Sequence, residues 1–201
     1  IERSLQLAFA YLTGELYDTG MAFGDDAYRL GYYRTAHQIG QVPPKLESTN
    51  IFRLLDEPFI DATFSQRLSD LENKYTTKIR RELVSSQIDG DNLTQVLRRV
   101  DKAWGNGTGL DWAVLGLMLT ELWRAGNMGT AQAISLFPEL LRGKMWVTAR
   151  DERVCPICKP LDTNVVNLDD EFDTPARGVP QPPAHVRCRC YLMPVTLRPE
   201  E

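Results

Sequence analysis

Trp146-Val-Thr-Ala-Arg-Asp-Glu-Arg-Val-Cys155-Pro-Ile-Cys158 and, further along, Pro182-Pro-Ala-His185-Val-Arg-Cys188-Arg-Cys190-Tyr-Leu192 together decide how this chain is read. They hold all four cysteines and one of the two histidines. A C-x-x-C turn brings two thiolates within reach of one ion, and an H-x-x-C-x-C cluster completes a tetrahedral sulfur–imidazole site. Cys155, Cys158, His185, Cys188 and Cys190 are therefore five candidate ligands for the four places of a structural zinc. On a regular strand Cys188 and Cys190 would share a face, too far apart for adjacent corners of one tetrahedron. Either the chain turns there or one of the two is spare. Disulfides and plain buried thiols are the alternatives, but disulfide-stapled scaffolds are small and spread their cysteines throughout. A catalytic zinc needs an open coordination position and a nearby base; five candidate ligands favour a closed site, and no catalytic residue is assigned.

Outward from the cysteines the pattern is β. Lys144 to Thr148 reads as a strand entering the first cysteine turn, Asn164 to Leu168 as a short partner, and Tyr191 to Val195 as a closing strand. Between them, the acidic run Asp169 to Asp173 and the proline-rich Thr174 to Pro183 read as one long loop without regular structure. This segment looks too poor in apolar residues for a core of its own, so zinc is the expected staple.

Upstream the periodicity is helical. Leu5, Ala8, Phe9, Leu12 and Leu16 predict a helix to about Tyr17, ended by Gly20 and Gly24; Asp25 or Asp26 then caps a second, through Tyr28, Tyr32, Ala36 and Ile39. Tyrosines and arginines between Tyr28 and Arg34 read as half-packed rings with solvated cations rather than a nucleic-acid patch. Lone His37 is no ligand. Gln41-Val-Pro-Pro-Lys45 is a linker. Pro58 is the expected first turn of a long helix striped by Phe64, Leu68, Leu71, Tyr75, Ile79 and Leu83. Its flanking Arg67, Lys74, Lys78, Arg80 and Arg81 read as a solvated face. Asp91 is the expected cap of a helix bearing Leu93, Val96, Leu97 and Val100. Gly105 to Gly109 lacks the lysine of a phosphate loop and reads as a flexible joint. One more helix carries Val114, Leu117, Met118, Leu122 and Ala125 to a stop at Gly126, and another runs from Gly129 to Pro138. The fold class is α+β: a mainly α-helical body (1–142, with a sub-boundary at 41–50), a small C-terminal β unit stapled by the Cys/His cluster (143–196), and a tail (197–201).

Trp146, Thr148, Asp151, Arg153, Val154, Cys155, Pro156 and Cys158, with Pro182, Pro183, His185, Cys188, Arg189 and Cys190, make a pattern that resembles the C-terminal motif of phage head morphogenesis proteins, the Mu F-like minor head proteins. Thr120-Glu121 echoes that family's helical Arg-Thr-Glu, with Leu119 in the arginine's place. Val186 replaces the usual proline after the histidine, and Thr163 stands where Leu-Asp-Gly is commoner. The resemblance implies a minor head (minor capsid) protein of a tailed phage that acts by binding. Its implied partners are the portal protein and other head proteins or scaffold, with packaged or ejected DNA as a further contact. Its implied location is the virion, in the head interior near the portal, reached from the host cytoplasm during assembly.

Composition bounds the alternatives. The 201 residues are 43% hydrophobic and 25% charged, with a net charge of −4, so no global basic field gathers DNA. A zinc-ribbon nucleic-acid binder would have to use Arg153, Lys159, Arg187 and Arg189, but from Arg142 onward nine basic side chains are balanced by nine acidic ones. An enzymatic effector or nuclease is the other alternative; no Ser-His-Asp set is visible, and His185 has no second histidine beside it. Glu121 and Arg124 are candidates for recognition or for a pair on the helix surface. No apolar run reaches the roughly 18–20 residues of a membrane span. The chain opens at Ile1 without a methionine, the mark of a processed or partial sequence.

Overall fold

The computed structural model describes residues 2–47, 57–60, 62–104, 109–175 and 177–197. Four α-helices among them are followed by short strands: α1 (Glu2–Gln38), α2 (Phe64–Ile88), α3 (Leu93–Trp104), α4 (Gly109–Leu136), β1 (Leu141–Val147), β2 (Val165–Val166), β3 (Phe172–Asp173), β4 (Gly178–Val179) and β5 (Tyr191–Thr196). By contacts the chain divides into two units, 1–20 with 56–118, and 21–55 with 119–201. The division falls inside α1 and α4 rather than at the expected boundary after residue 142.

In the first unit, α2 begins at Phe64 and not near Pro58. Thr63 is the reason: its hydroxyl accepts from Gln66 N at 3.1 Å while the Gln66 side chain accepts from Thr63 N at 2.8 Å, a reciprocal capping box. The predicted stripe packs inward, with Phe64, Leu68, Tyr75 and Ile79 buried. Arg67, expected in solvent, instead reaches back to the Phe59 carbonyl and lies over the Phe59 ring. Next, α3 is capped by Asn92, one residue beyond Asp91. Asn92 Oδ1 accepts from Gln95 N at 3.1 Å, and the Gln95 side chain returns the bond at 2.8 Å. Asp91 pairs with Arg99, which also binds Asp89 at 2.6 Å. Tyr75, Ile79 and Ala103 form this unit's core. The joint expected at 105–109, apart from Gly109 at the start of α4, and the side chains of Leu5, Ala8, Phe9 and Leu12 lie outside the described residues, as does most of the tail.

The second unit revises the reading of the glycines. One continuous helix replaces the pair expected across Gly20 and Gly24, and another runs unbroken through Gly126 and Gly129. Here α1 crosses α4 with backbones nearly in contact. A Cβ at Gly31 would lie 2.1 Å from the Gly126 carbonyl oxygen, and one at Gly129 would lie 1.9 Å from the Tyr28 carbonyl oxygen. Each glycine costs helix propensity of about 1 kcal/mol, and the close approach is what it permits. Tyr28 and Tyr32 are buried, so the aromatic run is packed as expected. The linker after α1 folds back onto it: the Tyr32 hydroxyl donates to the Pro44 carbonyl at 3.0 Å.

β1 is the centre of a three-stranded antiparallel sheet ordered β2-β1-β5, pairing Met145 with Val165 and Trp146 with Leu192. The acidic and proline-rich loop is not wholly irregular, since Phe172-Asp173 and Gly178-Val179 form a two-stranded ribbon. Nor does the β segment lack a core. Trp146, Phe172, Leu161, Val179 and Leu192 pack with Ile134 of α4, against half-buried Ile39 and Ala131. Lys144 is buried on β1 beneath this layer, with its ammonium 5.9 Å from the Phe172 ring centroid. The apolar surface missing from 143–196 is supplied by the two crossing helices.

These crossings set a contrast in sign. Gly129→Ala and Gly31→Ala are expected to lower the unfolding temperature despite alanine's better helix propensity. Gly14→Ala, where a Cβ meets nothing within 4 Å, is expected to gain up to about 1 kcal/mol. Thermal unfolding by circular dichroism reads all three; stabilisation by Gly129→Ala would refute the close crossing.

Candidate metal centre

The first cysteine pair sits on a turn built by its own backbone. The Cys155 carbonyl accepts from Cys158 N at 3.2 Å and Lys159 N at 3.0 Å, while Cys158 N–H also approaches Cys155 Sγ at 3.4 Å. Such N–H groups aimed at sulfur favour a thiolate. Asp162 holds the exit of this turn. Its carboxylate accepts from Thr148 N at 2.9 Å and pairs with Arg150 at 3.2 Å, and the Thr148 N–H above all holds its pKa below the usual carboxylate range. Thr163, next in line, has φ +63°. That left-handed conformation suits the glycine of the related pattern better than a β-branched residue.

The second cluster turns as well, ahead of the Cys188–Cys190 pair. Cys188 N–H donates to the His185 carbonyl at 3.1 Å, Arg187 has φ +64°, and the strand begins only at Tyr191. The chain therefore bends ahead of Cys188 and delivers both thiols to Cys158. His185 Nε2 stands 3.0 Å from Cys155 Sγ and 3.3 Å from Cys158 Sγ. Cys158 Sγ is 3.7 Å from Cys188 Sγ. Two donor groups result, Cys155–Cys158–His185 and Cys158–Cys188–Cys190, each with its ligand atoms within 4.8 Å of one another. Cys158 belongs to both.

These groups fit a metal ion. Bonds of about 2.3 Å from zinc to sulfur imply a tetrahedral edge of about 3.8 Å, close to the observed 3.7 Å. The imidazole is also set correctly: His185 Nδ1–H donates to the Val186 carbonyl at 2.8 Å, which leaves the Nε2 lone pair facing the sulfurs. All four cysteines are free thiols. The hydrogen bond between the Cys158 and Cys188 sulfurs drives their pKa values apart, pulling Cys188 toward thiolate and pushing Cys158 up. For His185, burial pulls the pKa down, but the Val186 carbonyl and the thiols of Cys188 and Cys155 outweigh it and raise it overall.

A second tie joins the two turns. Arg189, between the paired cysteines, makes a bidentate bond to Asp151, at 2.6 Å to each carboxylate oxygen. Asp151 also accepts from Arg153 N at 3.1 Å. A third tie runs to α4, where the Thr120 hydroxyl accepts from Arg187 N at 2.8 Å. A fourth is Asn127, whose amide donates to the Cys190 carbonyl at 3.1 Å and whose carbonyl accepts from Leu192 N at 2.7 Å.

Of the candidate binding residues, Arg153 and Arg187 are exposed, while Arg189 is committed to Asp151. Glu121 is buried against Arg124 at 3.1 Å and so lies off any exposed recognition face. Asn127 was not expected. Its only sequence signal is an amide within an apolar helical run.

Residues 77–193, more than half of the chain, match the family model described as phage Mu protein F like protein. The chain belongs to the phage Mu protein F like family. The match spans the cysteine turns and the α4 residues that hold them. Membership makes it a phage head-related protein, associated with other head proteins and with the virion. No curated protein and no solved structure matched the chain. Among the described residues no helix is long and apolar enough to cross a membrane.

Asp151 provides a pH test. Chiefly through its bonds to Arg189, its pKa falls from 3.8 to about 2. A depressed carboxylate pKa stabilises the fold fully above 3.8 and less as the pH falls through about 2. A carboxyl NMR titration is expected to place the Asp151 midpoint near the lower value, and Arg189→Gln should return it toward the ordinary range. At Thr163, substitution by glycine is expected to raise stability by up to about 1 kcal/mol in chemical denaturation. A loss on that substitution would show the left-handed turn to be unstrained.

Proposed function

We propose that this Mu F-like protein is a minor head protein that binds the portal vertex inside the capsid during assembly. It acts by binding rather than turnover, with a structural zinc holding its C-terminal recognition unit. Family membership over residues 77–193 carries this reading, and the closed character of the donor set supports it. Cys155, Cys158, His185, Cys188 and Cys190 offer five donors for the four places of a structural zinc. Filling all four places from this set would leave none for a reactive water. The zinc would supply a cross-link between the two turns and charge compensation for the thiolates. The chain's own residues do the rest. Asp151 and Arg189 hold the turns in register, and the Val186 carbonyl orients the imidazole.

DNA contact belongs to the same reading as a lesser activity. With Arg189 tied to Asp151, exposed Arg153, Lys159 and Arg187 would carry it locally. Such contact would weaken steeply with salt.

Elemental analysis of freshly purified, reduced protein is expected to give one zinc per chain. Cys158→Ser, which removes the corner common to both donor groups, is expected to lose zinc most completely. One of the other four ligand substitutions should leave it bound, because one donor is spare. Capture of the portal protein by the zinc-loaded chain, lost in Cys158→Ser and on chelation, would support the staple's role. Portal capture by a folded, zinc-free variant would remove that role, and absence of capture by the loaded chain would remove the portal assignment.

A further inference from the structure

The outward stripe of α1 within the second unit carries more apolar surface than a free helix face needs. Phe23 is 56% exposed, Leu30 66% and Tyr33 39%. Beside it lies a half-open cavity of about 770 Å³, whose far wall is formed by α4 and β5. Trp123, Leu122 and Tyr191 on that wall are each 37% exposed. Exposed aromatic and aliphatic side chains gathered along one groove make it a candidate association site. From Phe23 to Gln38 the α1 side of the groove runs for sixteen residues, about 22 Å at 1.5 Å per residue, which is the length of a four-turn helix.

Charge decides which helix fits. Asp26 and Arg34 both line the groove, both are exposed, and they stand four residues either side of Leu30. An antiparallel copy of the same helix, centred on Leu30, would set residue 30−n opposite residue 30+n. Asp26 then faces Arg34 of the second copy, Arg34 faces its Asp26, and Phe23 meets exposed His37. A parallel arrangement would instead place Asp26 against Asp26. Self-complementarity about one point is the requirement of an isologous two-fold interface, and opposite charges across it fix its register.

We propose that the chain forms a two-fold dimer in which α1 of each copy lies antiparallel in the other's groove, with Leu30 at the axis and two reciprocal Asp26–Arg34 pairs. The groove is lined by sixteen residues, against roughly 20–30 per side of a standard stable interface, so a reversible dimer is expected. This surface is separate from the metal ligands and does not depend on the portal reading.

Sedimentation equilibrium on the full, zinc-loaded chain tests it. The unmodified chain is expected to dimerise reversibly. Asp26→Arg and Arg34→Asp singly should each weaken the dimer roughly tenfold or more, since the two-fold axis doubles every like-charge clash. The double reversal should restore association to within about threefold, because the pairs are re-formed with opposite sense. Leu30→Glu should abolish it. All three positions are exposed in the monomer, so unchanged circular dichroism separates lost association from lost fold. A chain that stays monomeric to about 100 µM overturns the proposal, and so does a double reversal no better than the singles. Portal capture that fails in Leu30→Glu while the chain itself stays monomeric would give the groove to the portal instead.

Discussion

Cys158, Cys188 and Cys190 are buried in the same apolar core as Trp146 and Phe172, and the C-terminal half of the second unit is arranged around that constraint. A lone buried thiol behaves as a small hydrophobe. Three of them with His185 beside the shared corner are another matter, because ionised sulfurs at this separation repel one another in a medium that screens poorly. Without a cation, proximity opposes ionising both members of a pair, and Cys158 is pushed up while Cys188 is held toward thiolate. A divalent ion bound there would replace the thiol protons and turn mutual repulsion into shared attraction. Apparent binding free energies of structural zinc, of order 10–16 kcal/mol in finger peptides, are large against the stability of an ordinary domain. With zinc bound as proposed, loss of one corner would matter far more than loss of a typical core side chain.

The cluster is not a freestanding knuckle. Thr120 and Asn127 lie seven residues apart on α4, two turns along one face. They bind the backbone on either side of Cys188 and Cys190: Thr120 at Arg187, Asn127 at Cys190 and Leu192. A small C-terminal module carried on a linker would need neither contact. The helix instead supplies Ile134 to the core and polar side chains to the turn. This gives a physical meaning to the weak Thr-Glu echo upstream of the cysteines: Thr120 receives the backbone N–H of the second turn, and Glu121 forms a buried pair with Arg124. Such a pair is costly to break and is weak evidence of stabilisation by itself.

What could be read from residues alone followed from patterns with a local cause. Alternation and flanking turns located β1, β2 and β5 to within two or three residues, and the cysteine spacing located the donor atoms. Periodicity found the inward face of α2. The errors came where a local signal met a tertiary one. Gly126 and Gly129 look like helix stops, yet their missing side chains allow α1 and α4 to cross at backbone distance. Asp91 and Asn92 are both good caps; the reciprocal Gln95 selects Asn92, and Arg99 takes Asp91. Counting apolar residues in 143–196 alone misjudged its core, because Ile134, Ala131 and Ile39 are supplied from outside that span. No pattern marked Asn127, whose role exists only once β5 lies against α4.

Asn127 also limits how the second unit can meet other proteins. β5 is an outer strand of its sheet, and an unpaired strand edge ordinarily invites another strand to add. Here the Leu192 N–H is turned away from β1 and taken by Asn127, as is the Cys190 carbonyl. Two residues on, on the same side, stands Pro194, which has no N–H to offer. Strand addition at β5 would have to displace the amide and then cross a position with no donor. The sheet is thus closed to growth where it borders the groove, and apolar surface remains on the helices. A partner meeting this edge would have to use side-chain packing against α1 and α4, which reads shape and charge at fixed spacing, rather than backbone pairing, which accepts almost any extended segment.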